Sequence, residues 1–277
     1  MRKFFPGSLR VGLSRSDVTL LTATGWRRPR MVPLAHAGIS AETADAPERL
    51  SLQLHDIFTR AACSNRSATI ILADEWVRLL MVTPPQNAAR LQDCRAAAAM
   101  RFQALYDEPA ANWRIDADWH ATQPFLACAI RRPLLTALEE LARRHRLRLI
   151  GITPQFVAVW NCWRHTLQAG AWFGVVQNNL LTLGAIDQGR LCAVRVTALP
   201  ANVWQDQQWL PAHLAHESLR LNMAVPDQLH LCGGFPGQWS TRTIGALRCT
   251  RLEARLPIPD YDPSAAGAVL ARSGLRL

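Results

Sequence analysis

One lysine, Lys3, stands among the 31 basic side chains of this 277-residue chain, and only 21 acidic residues oppose them. The formal net charge of +10 is therefore carried almost wholly by arginine. Arginine suits bidentate contact with phosphate, but the codon usage of a GC-rich genome enriches it as readily. The arginines are spread along the chain rather than gathered into a module, which argues against a dedicated nucleic-acid binder. No run approaches the roughly 18–20 uninterrupted apolar residues of a spanning helix. The basic start at Met1 to Lys3 is not followed by the apolar stretch of a secretory signal. The seven cysteines are odd in number and contain no CxxC pair, so buried free thiols in a reducing cytoplasm are expected. A P-loop, a GxGxxG fingerprint and a Gly-x-Ser-x-Gly elbow are all missing.

Hydrophobic residues make up 49% of the chain, enough to bury a sizeable core over about two domains. Short β-rich runs over 11–14, 18–23 and 31–39, broken by tight polar turns, predict an antiparallel meander. Pro47 then opens a helix with Leu50, Leu54, Ile57 and Ala61 on one face. Two strands, 69–73 and 76–83, are split by Asp74-Glu75 and end at Pro84-Pro85. A helix over 91–105, strands over 113–119 and 125–131, and a helix after Pro133 follow. The last of these carries Glu139–Arg143 and Glu140–Arg144 pairs on its outer face. A strand over 147–152 and a helix from Pro154 containing Trp160 and Trp163 close this half, and the two tryptophans are expected in the core between halves. Beyond a boundary at Gln168-Ala169-Gly170 the order restarts: strands over 172–176, 180–186 and 191–197, a helix over 206–221, strands over 228–232 and 246–255, and a small-residue helix within 263–272. Two β-β-β-α-β units point to a duplicated α/β plan.

The middle of the chain resembles a known family. "ATIILADEWVRLLMVTPP" is similar to a strand pair ending in a proline step. "RLQDCRAAAAMRFQALYDEPAANWRIDADW" resembles the helix, Tyr-x-x-Pro exit and strand that follow it. "PFLACAIRRPLLTALEELARRHRLRLIGITPQFVAVWN" resembles the return from an inserted subdomain into the core. The family they resemble is the PilM family of type IV pilus machinery, with its MshI-like relatives and the cytoplasmic domain of the type II secretion protein GspL. The resemblance covers about residues 66–165 well and the remainder in outline. It implies an actin-like ATPase (ribonuclease H-like) fold, with a first half over 8–168, a small α+β subdomain inserted at about 84–132, and a second half over 169–277.

The same resemblance implies a nucleotide site between the halves, and the residues can be tested for it. Two hairpins should offer amide N–H groups to the phosphates and an acidic residue each to the metal. The first, Gly12-Leu13-Ser14-Arg15-Ser16, lacks the family's Asp-x-Gly. The second, Phe173 to Leu180, has no carboxylate and no glycine at its turn. Only the adenosine-side Gly233-Gly234 remains, and such a pair also serves as a plain turn. The expectation is a degenerate site with no catalysis, no metal and no cofactor; an active Mg·ATP-binding ATPase or kinase is the alternative, and a basic nucleic-acid-binding protein is a more distant one. The resemblance further implies a cytoplasmic scaffold, peripheral to the inner membrane, that docks the extended cytoplasmic tail of a bitopic PilN-like protein. Trp76, Arg78, Leu80, Leu91 and Phe102 are the candidate contact residues. The basic surface, densest at Arg27-Arg28-Pro29-Arg30, suits an anionic membrane, and no specific nucleic acid is expected.

Other constellations are weaker. His213, His216 and Glu217 share a helix face but match no metalloprotease order, and a half-exposed polar face is expected. Asp116 and Asp118 read as an exposed strand face.

Overall fold

The computed structural model describes residues 7–24, 30–86, 88, 90–167, 170–241, 244, 246–252 and 266–275. Residues 27–29 of the expected basic patch, 168–169 of the expected boundary, and the outer parts of the last expected strand and helix lie outside the described residues.

Strands β1 (Leu9–Leu13), β2 (Asp17–Thr24) and β3 (Arg30–Gly38) form an antiparallel meander. A short helix α1 (Ala41–Asp45), capped by the Ser40 side chain on Thr43 N–H, leads into α2 (Pro47–Arg60). Pro47 sits in the first turn of α2, where its missing N–H costs nothing, and Leu50, Leu54, Ile57 and Phe58 are its buried face. Strand β4 (Ser67–Leu72) adds parallel to β1. The chain then leaves the sheet to build β5 (Val77–Val82), α3 (Leu91–Tyr106), β6 (Trp113–Ala117) and β7 (Phe125–Arg131). It returns through α4 (Arg132–Arg144) to β8 (Arg148–Pro154), parallel to β4, and α5 (Gln155–Trp163). The first sheet thus has the order β3-β2-β1-β4-β8.

The second half repeats it. Strands β9 (Ala171–Gln177), β10 (Leu180–Asp187) and β11 (Arg190–Ala198) form the meander. Helix α6 (Trp209–Leu221), β12 (Gln228–Gly233), α7 (Gln238–Thr241), β13 (Arg248–Arg251) and α8 (Ala266–Arg272) follow. The sheet order, β11-β10-β9-β12-β13, matches the first sheet position for position, with the same parallel and antiparallel joints. In both sheets the first strand lies at the centre with a neighbour on each side. That explains why β1 and β9 are apolar on both faces and buried throughout, rather than alternating.

The inserted unit is a three-stranded antiparallel sheet, β5-β7-β6. One face, from Leu80, Val82, Ala127 and Trp113, is covered by Cys94, Ala98 and Phe102 of α3. The other, from Val77, Leu79 and Ile130, joins the main core. The unit begins at β5, not at residue 84 as expected. Pro84-Pro85 ends a strand that already belongs to the insertion.

Two features tie the halves together. The main core is shared: Phe173, Val175, Ile186, Val194 and Cys232 of the second half pack with Leu13, Leu72, Phe156 and Val159 of the first. Phe173 meets Phe156 at 5.5 Å and Trp160 at 6.0 Å between ring centroids, so the tryptophan before the boundary does pack between halves. Secondly, α8 leaves the second half and lies on β1 and β2. Backbone approach is so close that a Cβ on Gly12 would come within 2.2 Å of Gly267 O. Asp17 accepts the Gly267 N–H (2.9 Å) at the start of α8, and Arg10 donates to Ala271 O and Ser273 O (2.6 Å each) at its end. Each charge sits at the end of the helix whose dipole it complements. Of the span 169–277 expected as the second half, the last helix therefore completes the first.

Candidate functional site

The β1–β2 and β9–β10 turns follow the carboxyl ends of the two central strands, which run parallel to β4 and β12, and that is the end at which open α/β sheets form their crevices. The β1–β2 turn is held from within. The Ser14 hydroxyl donates to Asp17 Oδ1 (2.5 Å) and accepts from the amides of Ser16 (3.2 Å) and Asp17 (2.9 Å). The Arg15 amide donates to Glu75 Oε1 at 2.5 Å. The Arg15 guanidinium pairs with Asp45 and lies over the Trp76 ring, 5.1 Å from its centroid. The turn is thus plugged by the short 3-10 segment Asp74–Trp76. Burial raises the Glu75 pKa, opposed by the Arg15 amide and guanidinium.

Asp74 is the most constrained group at the seam. It is 4% exposed, at the carboxyl end of β4. Its Oδ1 accepts the Phe156 N–H at 3.0 Å, and it also bonds the Gln155 amide and the Thr182 side chain. One carboxylate therefore caps α5 of the first half and grips β10 of the second. Its Oδ2 has no hydrogen-bond partner. Desolvation pushes the pKa up to about 6. Alongside it, Gln155 Nε2 bridges Gln177 Oε1 (3.3 Å) and Ser273 Oγ (3.2 Å). Ala73, Asp74, Glu75, Gln177, Leu180 and Thr182 line a crevice of about 190 Å³, counting its open mouth.

The second hairpin turns at Asn178, whose φ is +53°, and offers no carboxylate. The Gly233-Gly234 pair divides into two roles. Gly233, at φ +97°, would drive a Cβ to 1.9 Å from Val176 O, so glycine is required there by the backbone alone. Gly234 donates its N–H to that carbonyl (3.1 Å), and its own Cα faces open space. Among the described residues no group of three or more His, Cys, Asp or Glu is arranged to hold a metal ion.

The candidate docking residues do not form one surface. Leu80 and Phe102 are buried in the core beneath α3, at 2% and 0% exposure, so they shape the insertion rather than meet a partner. Sequence periodicity could not separate a groove-lining apolar residue from one on the covered face. Leu91 is exposed at the start of α3, and Trp76 is half-buried against Arg15. Arg78 is half-buried between the rings of Tyr106 and Trp113. Glu217, expected on a half-exposed helix face, is buried and paired with Arg195 (3.4 Å) and Arg220 (3.2 Å), while His213 stacks on Trp209. Asp116 and Asp118 are exposed, Asp116 accepting the Trp119 indole N–H (3.2 Å). Sequence reasoning passed over Asp74 and Glu75 as a break between strands. An acidic pair directly after a buried parallel strand, at the end where such sheets form their crevices, was the available signal.

No family model and no curated protein matches this sequence. Solved structures do. The fold is similar to a PilM–PilN type IV pilus biogenesis complex, at 14% identity over 96% of this chain and 97% of that one, with a TM-score of 0.62. It is similar to a Bacteroides thetaiotaomicron protein with an actin-like ATPase fold and unknown function (12%, 88% and 90%, TM-score 0.60). It is also similar to the cytoplasmic domain of EpsL, an inner-membrane component of the type II secretion system of Vibrio cholerae (14%, 95% and 92%, TM-score 0.55). The architecture is the actin-like ATPase fold. No helix among the described residues is long and apolar enough to cross a membrane.

Proposed function

We propose that this protein is a non-catalytic scaffold of a type IV pilus or type II secretion-like inner-membrane assembly, docking the cytoplasmic tail of a bitopic membrane protein. Likeness over nearly the whole chain to a PilM–PilN complex and to the EpsL cytoplasmic domain supports the assembly class. One observation carries the loss of catalysis: the Arg15 amide of the first hairpin is occupied by Glu75 of the same chain. Phosphoryl chemistry on this fold depends on amide donors and metal-holding carboxylates arranged around the phosphates. Here one carboxylate, Glu75, meets the donor, and neither hairpin turn points an acidic residue at a metal. The small crevice and the shared apolar core are consistent with halves that stay closed.

Two measurements test the reading. Calorimetry with Mg·ATP should show no binding at low-micromolar concentrations, and purified protein should release no phosphate above background. Co-expression with a short bitopic protein encoded nearby should give a stable complex through the partner's cytoplasmic tail. Low-micromolar nucleotide binding would overturn the non-catalytic reading, and failure of every such partner to co-purify would overturn the scaffold.

A further inference from the structure

The seam between the inserted unit and the second half holds an arginine, Arg78, with no carboxylate partner among the described residues. The Arg78 guanidinium lies 5.6 Å from the Tyr106 ring centroid and 5.7 Å from that of Trp113. Arg131 lies over the same Trp113 ring at 4.9 Å, giving an alternating ladder of arginine and aromatic ring. Arg131 has its carboxylate: Glu108, at 3.1 Å, which also accepts the Trp113 indole N–H at 3.2 Å. Across the seam Arg195 of β11, close enough to bear on the Tyr106 phenol, has Glu217. Arg78 has no carboxylate partner among the described residues, and its one hydrogen bond is a 3.5 Å contact to its own Val77 carbonyl.

The surroundings favour an incoming acid. Four arginines here, Arg78, Arg131, Arg195 and Arg220, stand against Glu108 and Glu217, and both glutamates are already engaged. A guanidinium held between two rings has shed part of its hydration and is fixed in orientation, so a carboxylate can meet it with little ordering cost. The Tyr106 hydroxyl is tied to Leu79 O (2.9 Å), which fixes the ring against β5. β5 and β11 are edge strands of two different sheets that lie against each other without ladder pairing.

We propose that Arg78 is an anion-receiving site for the side-chain carboxylate of an extended partner segment, so that the docked tail carries an acidic residue at this point. The proposal rests on the docking reading above and specifies its chemistry.

The probe is a set of fluorescein-labelled ten-residue peptides that alternate leucine and serine and carry Glu, Gln or Lys at the centre. Anisotropy at about 0.1 M salt, where surface charge is largely screened, should rank Glu at least tenfold tighter than Gln, with Lys weakest. Arg78→Gln should bring the Glu/Gln ratio to about one, Arg78→Lys should keep part of it, and the exposed Arg248→Gln should leave it unchanged. Melting curves of each variant establish that it is folded. Equal binding of the Glu and Gln peptides, or a ratio that survives Arg78→Gln, overturns the carboxylate receptor and leaves the docking of extended segments standing. Binding of none of the peptides at millimolar concentration also overturns it, while co-purification with a bitopic partner judges the docking reading separately.

Discussion

Asp74 and Gly233 show how differently two residues at one seam are constrained. The Asp74 carboxylate is held at about 6, well above its ordinary 3.8, so the folded protein takes up its proton more readily than the unfolded chain. The stability this contributes is full below about pH 4 and is lost as the pH rises through 6. At pH 8 the ionised, half-satisfied carboxylate costs about 3 kcal/mol. Asp74→Asn keeps an oxygen for the Phe156 N–H and removes the charge. Melting curves should show the Asp74→Asn variant more stable than the parent at pH 8, with the gap closing toward pH 4; a constant gap would mean Asp74 is not the titrating group. Gly233→Ala should cost roughly 2–4 kcal/mol, because a positive-φ position and a carbonyl stand in the way, whereas Gly234→Ala should be close to neutral. Chemical denaturation of the two variants side by side checks this. It also sorts a packing glycine from one that a bound ligand would need.

At the scale of elements, α8 is the piece whose removal is most informative. Gly12→Ala places a methyl group against the α8 backbone and should cost about 1–3 kcal/mol. Amide exchange should accelerate at 267–273 before it does in β12; uniform acceleration would count against a locally docked helix. Most elements were legible in the sequence because hairpins and helices announce themselves locally. The turns at Arg15-Ser16 and Asn178-Asn179, Pro47 and Pro133 at helix starts, and the apolar stripe of α4 each stand within a few residues of the element they define. What escaped was non-local. That β5 belongs to the inserted sheet depends on pairing with β7 some fifty residues on, and Pro84-Pro85 gave a louder but misplaced boundary. That α8 lies on β1 depends on a small-residue match between Gly12 and Gly267 that no periodicity encodes. That neither hairpin turn carries the acidic residue the resemblance leads one to expect is a fact of the sequence itself. That Glu75 meets the Arg15 amide was not legible, because the pair is sixty residues apart.

For the molecule as a whole, the core common to both halves predicts joint behaviour. Scanning calorimetry should give a single transition, and Phe173→Ala, which removes the ring packed on Phe156 and Trp160, should shift that transition as a unit at a cost of about 3–5 kcal/mol. Two resolved transitions would show that the halves melt independently and that the shared core does not couple them.

The docking of α8 on β1 and β2 also has a consequence in time. Arg10 and Asp17 meet their helix partners 250 or more positions downstream. A ribosome adding about 5–20 residues per second needs about 10–50 s to cover that distance. Through that interval the nascent first sheet has made its meander but shows a bare glycine-floored face, which an unrelated edge or helix can occupy. The end of the chain thus covers a sheet laid down at its beginning, and that face stays without its own helix until synthesis is nearly over.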